Sequence, residues 1–85
     1  MSILYYSVEM REKTTEINKK ICLKIKLERV KRNWSQEQLA EYAELSVNTI
    51  GRIERSQISP SIDTVVHIAE AFQLDFAKLT DISYL

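Results

Sequence analysis

Apolar residues recur every three or four positions after the opening segment of the chain. This spacing predicts an amphipathic helix from about Thr15 to Arg32, with one apolar face turned towards a core and the lysines on the other face. The inward residues expected for this helix are Ile17, Ile21, Ile25, either Leu27 or Glu28, Val30 and Trp34. Cys22 is expected to be a small, largely buried residue of the same helix.

Serines mark the starts of the next two helices. Ser35 is followed three residues later by Gln38, which is the spacing of a capping box, and this predicts a short helix over residues 36–43. Ser46 then predicts a third helix over residues 47–55. Only a tight turn separates the two helices, as in a helix-turn-helix unit.

Two further helices follow. Ser61 comes directly after Pro60 and caps a fourth helix with a strong apolar period, and Asp75 caps a short fifth helix. The expected inward residues of the last two helices are Ile62, Val65, Val66, Ile68, Ala69, Phe72, Phe76 and Leu79.

The two chain ends are rich in residues that favour strands, in the segments ILYYSV and ISYL. They are interpreted either as short strands or as frayed tails. The sequence therefore predicts an all-α fold of five helices, divided into an extension over residues 1–14, a helical domain over 15–81 and a tail over 82–85.

Composition and charge narrow the class of protein. One Gly and one Pro favour helices, and one Cys excludes an internal disulfide. The net charge is +0, but the segment from Arg11 to Arg32 contains nine basic residues and only three acidic ones. Such asymmetry indicates a basic face suited to nucleic acid, although it is equally typical of a solvated helix surface.

No pattern of a catalytic site is present. The only histidine, His67, lies beside apolar positions of the fourth helix, and neither a phosphate loop nor a metal-ligand cluster is found. The sequence predicts a protein that is not an enzyme, binds no cofactor or metal, contacts no membrane and is cytoplasmic.

The segment SQEQLAEYAELSVNTIGRIERSQISPSIDTVVHIAEAF resembles the Cro/phage-repressor type of helix-turn-helix domain, also called XRE-type. The resemblance extends over about residues 21–79 and implies a compact lambda-repressor-like domain. In that family the third helix enters the major groove of DNA and the second helix crosses the backbone.

The resemblance, together with the residues opposite Ile50 and Ile53 on the third helix, assigns candidate roles. Asn48 suits adenine, Arg52 guanine and Val47 a thymine methyl group, while the alternative is a merely solvated face. The candidate base contacts are Val47, Asn48, Thr49 and Arg52. The candidate phosphate contacts are Gln36, Ser46 and Arg55. Arg29 and Glu54 match family positions that form a structural ion pair.

The expected function is that of a sequence-specific transcriptional regulator, a repressor that binds double-stranded DNA as a homodimer through the fifth helix and the chain ends. One alternative is an antitoxin or other regulator that binds a protein partner, with Leu4, Tyr5, Tyr6 and the segment ISYL as contacts. A controller protein of a restriction–modification system is a related alternative, because such proteins resemble this chain in size and layout. No residue pattern points to a particular small-molecule effector.

Glu44 and the loop SQISPS depart from the family pattern, and the only glycine, Gly51, lies inside a predicted helix. Glu44 stands where the family usually has glycine, which predicts a non-glycine residue with positive φ. Gly51 is predicted on the outward face of the third helix, away from the core, where it would let the helix approach DNA closely. The loop SQISPS lacks basic residues, which predicts fewer phosphate contacts and a shallower salt dependence.

Overall fold

Helices are the only regular secondary structure in the described part of the chain. The computed structural model describes residues 3–85, with side chains from Thr15 onward. No strand occurs within these residues. The five helices are α1 (Ile3–Lys31), α2 (Gln36–Ala43), α3 (Val47–Glu54), α4 (Ile62–Phe72) and α5 (Phe76–Leu79). The predicted all-α class and helix order are confirmed.

The prediction for the chain ends needs correction. Strands do not form within residues 3–85, and α1 begins at Ile3 instead of near Thr15. A lone strand leaves its backbone groups unpaired, whereas a helix pairs its own, so strand propensity is overridden when no second strand is available. The predicted contact through Leu4, Tyr5 and Tyr6 lies outside the described side chains. The division into extension, domain and tail remains a prediction.

The core lies where α1 to α5 meet. Its fully buried side chains are Cys22, Ile25, Leu39, Ile50, Ile53, Ile68 and Leu79. Full burial of a large apolar side chain stabilises the folded state by about 1.5–3 kcal/mol, so this cluster is the main source of stability.

The inward face of α1 differs from the predicted one. Ile25 and Cys22 are buried as expected, and of the alternatives Leu27 and Glu28 it is Glu28 that is buried. Ile17 and Val30, however, are half exposed. Apolar residues lie on several sides of α1, so their period alone does not select the face that packs against the other helices. Among the other expected inward residues, Ile62 and Phe76 are also exposed.

Side-chain caps begin the middle three helices as predicted. Ser35 Oγ accepts from the Gln38 backbone N–H at 3.0 Å, and Gln38 Oε1 accepts from the Ser35 N–H at 2.8 Å, which completes the capping box. Ser46 Oγ and Ser61 Oγ accept from the backbone N–H groups of Thr49 and Thr64 and so cap α3 and α4. Asp75 occupies the N-cap position of α5 but makes no side-chain cap bond.

Left-handed residues follow α1 to α4, and none of them is glycine. They are Asn33, Glu44, Ser56 and Gln73, with φ of 57–58°. Glu44 thus has the positive φ predicted for it. Its N–H donates to Glu41 O at 3.2 Å and that of Leu45 to Ala40 O at 2.9 Å, the bond pair of a Schellman motif. These bonds satisfy helix-end carbonyls and offset the strain of about 1 kcal/mol at a non-glycine left-handed residue.

Candidate nucleic-acid interface

The surface of α3 carries the polar residues predicted to face a ligand. Ile50 and Ile53 are fully buried, and this fixes the opposite side of the helix towards solvent. Asn48 and Arg52 are exposed there, Val47 is nearly half exposed, and Thr49 is partly covered. All four candidate base-contacting residues therefore lie within the first two turns of α3, and Asn48 and Arg52 are neighbours on one face because they are four residues apart.

The single acid of α3 is turned away from that surface. The Arg29 guanidinium donates to Glu54 through Nε–Oε2 at 2.7 Å and Nη2–Oε1 at 2.9 Å, so the predicted ion pair forms with bidentate geometry. The Glu54 side chain is only 3 % exposed and that of Arg29 14 %. The Glu54 hydrogen bond raises the pKa of Arg29 above its usual value, although partial burial opposes this shift. The exposed face of α3 consequently keeps its arginines without a competing carboxylate from the same helix.

Gln36 joins the same cluster. Its Nε2 donates to Glu54 Oε1 at 3.1 Å, and Arg29 Nη1 donates to the backbone oxygen of Trp34 at 2.7 Å. The first turn of α2 is thereby tied to the end of α3 through one carboxylate. The sequence reasoning missed this link, because Gln36 was assigned only a phosphate contact. The only feature of the sequence that bears on this bond is the position of Gln36 directly after the cap residue Ser35.

The two hydroxyls at the start of α3 are paired. Ser46 Oγ lies 2.8 Å from Thr49 Oγ1 and accepts from the Thr49 backbone N–H at 3.1 Å. Ser46 therefore has a structural role as a cap, and its hydroxyl hydrogen remains for an outside acceptor when Thr49 is the donor of the pair. Thr49, one of the candidate base contacts, is held in a fixed rotamer by the same bond.

Gly51 lies on the side of α3 that carries the exposed Arg55, as predicted, but it is buried, so the expectation that its backbone is open to a close approach by DNA needs correction. The cover comes from the side chain of Arg55, whose Nη1 would lie 2.9 Å from a Cβ added to Gly51. Residues four apart on a helix lie one above the other, so the long arginine folds back over the missing side chain. Arg55 itself is exposed, and its Nη2 donates to Gln57 Oε1 at 3.3 Å. Glycine at this position makes room for an arginine head group beside the helix.

A family model for helix-turn-helix domains matches residues 25–79 of the 85-residue chain. The match includes the capped α2, the left-handed turn at Glu44 and the whole of α3. The chain belongs to the Cro/C1-type helix-turn-helix family. This family consists of DNA-binding regulators, so the predicted family and its general function are confirmed. Searches of curated proteins and of solved structures gave no match.

Two features outside the motif escaped the sequence reasoning. Lys24 is 7 % exposed, and its Nζ lies 2.5 Å from Tyr84 Oη and 3.5 Å from Asp81 O, which fastens the C-terminal segment to α1. Arg32 donates to the Phe72 backbone oxygen at 3.0 Å and lies over the Phe72 ring. Both contacts join residues at least 40 positions apart, and no local pattern reveals such pairs.

None of the helices in the described part of the chain has the length and apolar content needed to cross a membrane.

Proposed function

We propose that this regulator binds double-stranded DNA sequence-specifically through α3 and acts as a cytoplasmic repressor without enzymatic activity. The observation that carries the proposal is the composition of the exposed face of α3. It presents Asn48 and Arg52 side by side, while the acid of that helix, Glu54, is held inside by Arg29. An amide and a guanidinium are the side chains that read adenine and guanine by paired hydrogen bonds in the major groove.

Base readout is assigned to the first two turns of α3. Asn48 bonds an adenine edge, Arg52 bonds a guanine edge, and the half-exposed Val47 contacts a thymine methyl group. Thr49 supplies a further polar contact. Each good bidentate pair contributes about 1–3 kcal/mol of discrimination against the wrong base.

Phosphate contacts surround this readout face. Arg55 extends along α3 from its position over Gly51, and Gln36 lies at the positive end of α2, where anions bind favourably. Because one N–H of the Gln36 amide is bonded to Glu54, the amide is held in place and its second N–H remains for a phosphate. Ser46 is the third proposed phosphate contact.

A homodimer is the proposed binding unit. One recognition helix reads few base pairs, and two copies read half-sites about one helical turn apart. The proposed dimer surface is α5 with the C-terminal segment, where Phe76 and Tyr84 are exposed. Phe76→Ser is expected to shift the protein towards monomer in sedimentation at tens of micromolar. Occupation of an operator by the dimer then excludes competing proteins from that stretch of DNA.

Binding titrations at several salt concentrations test the proposal. The logarithm of affinity should fall linearly with the logarithm of salt concentration, because phosphate contacts release counterions. Arg52→Ala should weaken binding to a selected operator by about 5- to 150-fold, the equivalent of about 1–3 kcal/mol. Lys26→Ala removes an exposed charge on α1, outside both α3 and the proposed dimer surface, and is the matched control, which should change affinity little. Absence of DNA binding at low salt would refute the proposal.

A further inference from the structure

A stripe of apolar side chains runs along the outer side of α1. Leu23, Leu27 and Val30 are 44 %, 43 % and 51 % exposed. Their spacing of four and then three residues keeps them on one side of the helix. The buried Cys22 and Ile25 and the partly buried Arg29 occupy the opposite side, so the core cannot cover this stripe.

Lysines border the apolar stripe. Lys19 and Lys26 are exposed along one edge, Lys31 lies along the other, and Lys20, seven residues before Leu27, lies at the N-terminal end of the stripe. Lys20 pairs with Glu16 at 3.7 Å and Lys31 with Glu28 at 3.8 Å. Within the described side chains, Lys19 and Lys26 form no ion pair with a carboxylate. The stripe thus has apolar contacts at its centre and unneutralised positive charge at its border.

The spacing is that of a coiled-coil seam. When Leu27 is an a position, Leu23 and Val30 are d positions, Lys19 and Lys26 are g positions, and Lys31 is an e position. A parallel second copy would bring g lysines against e lysines, and an antiparallel copy would bring g lysines against g lysines. Like charges at these positions repel, so the stripe disfavours self-pairing in both orientations.

We infer that the stripe formed by Leu23, Leu27 and Val30 is a docking surface for an acidic amphipathic helix of another protein. Leucine-like residues of that helix would pack on the stripe, and its glutamates or aspartates would face the lysines. A membrane surface fits less well, because the stripe has only three apolar residues and no aromatic residue at its centre.

The docking surface leaves the DNA-binding face free. Arg29 faces α3 through its bonds to Glu54, and the stripe lies on the other side of α1. A partner helix could therefore be bound while α3 occupies DNA. The inference does not depend on the proposed DNA sequence specificity, since it concerns a different surface.

The test uses the full chain and two labelled synthetic peptides of about three heptads, with leucine at a and d. One peptide carries glutamate at e and g, and the other carries lysine there. The acidic peptide should bind, measured by fluorescence anisotropy, and the basic one should not. The double variant Leu23→Ser/Leu27→Ser should weaken binding at least about tenfold, the equivalent of about 1.4 kcal/mol. Ile62→Ser, which changes an exposed apolar residue on α4, is the matched control and should leave binding unchanged.

A charge-reversed variant sharpens the result. Lys19→Glu/Lys26→Glu should lose the acidic peptide and gain the basic one, which a merely unfolded protein would not do. The inference is overturned if neither peptide binds at 100 μM or if both bind equally. It is also overturned if Leu23→Ser/Leu27→Ser leaves binding unchanged. Stripe-dependent dimerisation in sedimentation would assign the surface to a second copy, and stripe-dependent flotation with phosphatidylserine vesicles would assign it to membranes.

Discussion

Removal of the Glu54 carboxylate is expected to destabilise the protein strongly. Glu54→Ala leaves the Arg29 guanidinium, whose side chain is 14 % exposed, without the acceptor for two of its hydrogen bonds. The Gln36 amide loses its acceptor as well. Breaking a buried ion pair by removing one partner costs about 3–5 kcal/mol, because the remaining charge stays desolvated.

This cost is large against the whole stability. A chain of 85 residues at about 0.05–0.15 kcal/mol per residue has a free energy of unfolding of about 4–13 kcal/mol. Glu54→Ala could therefore leave little folded protein. Glu54→Gln keeps the shape and one acceptor oxygen, and its expected cost is about 1.5–3 kcal/mol, the contribution of hydrogen bonds to a charged group.

Urea unfolding followed by the fluorescence of Trp34, the only tryptophan, measures these effects. A double-mutant cycle with Arg29→Met separates the pair interaction from other losses. Arg29→Met/Glu54→Leu removes both charges and should cost less than the sum of the single changes, by at least about 2 kcal/mol. Additive costs, or a loss below about 1 kcal/mol for Glu54→Gln, would show that the pair behaves as an exposed salt bridge and refute the reasoning.

Three further outcomes are expected from the same structure. Glu44→Gly should raise the free energy of unfolding by about 0.5–1 kcal/mol, since glycine relieves the left-handed strain in the turn after α2. Glu41→Gly, inside α2, should lower it by about 1 kcal/mol, and equal signs in urea unfolding would contradict this. Gly51→Ala should stabilise the free protein by about 0.5–1 kcal/mol, because alanine favours the helix. It should also weaken DNA binding in a titration, because the methyl group displaces the Arg55 guanidinium. Unchanged affinity would rule out a DNA contact by Arg55 from its place over Gly51. Cys22 is fully buried, and burial raises the pKa of its thiol. A disulfide reagent should therefore modify it at least about a thousandfold more slowly in native than in unfolded protein. Rapid labelling of the native protein would contradict the buried position.

Local signals predicted the helix-turn-helix unit well. The capping box of Ser35 and Gln38 and the cap at Ser46 fixed the starts of α2 and α3, because a cap bond spans only three residues. The positive φ of Glu44 was expected from the family resemblance, because the family usually has glycine at that position. The helical period and the inward positions of Ile50 and Ile53 placed Asn48 and Arg52 on the exposed side of α3. The assignment of base contacts came from the family resemblance and stays a prediction.

The errors arose where tertiary packing decides. The inward face of α1 depends on the helices packed against it, so Ile17 and Val30 proved exposed. The burial of Lys24 depends on Tyr84, which is 60 residues away in the chain. The contact of Arg55 with Gly51 could have been predicted from the sequence, because residues four apart lie on the same side of a helix.

Selection of bound sequences from random duplex DNA tests the central claim most directly. The wild-type protein should select a site with two related half-sites, with centres about one helical turn apart. Arg52→Ala should select the same site with the preference lost at one symmetric pair of positions, while Lys26→Ala, on the exposed side of α1, should select the wild-type site unchanged. If Arg52→Ala retains every base preference, or if the wild-type protein enriches no sequence, α3 does not read DNA as proposed.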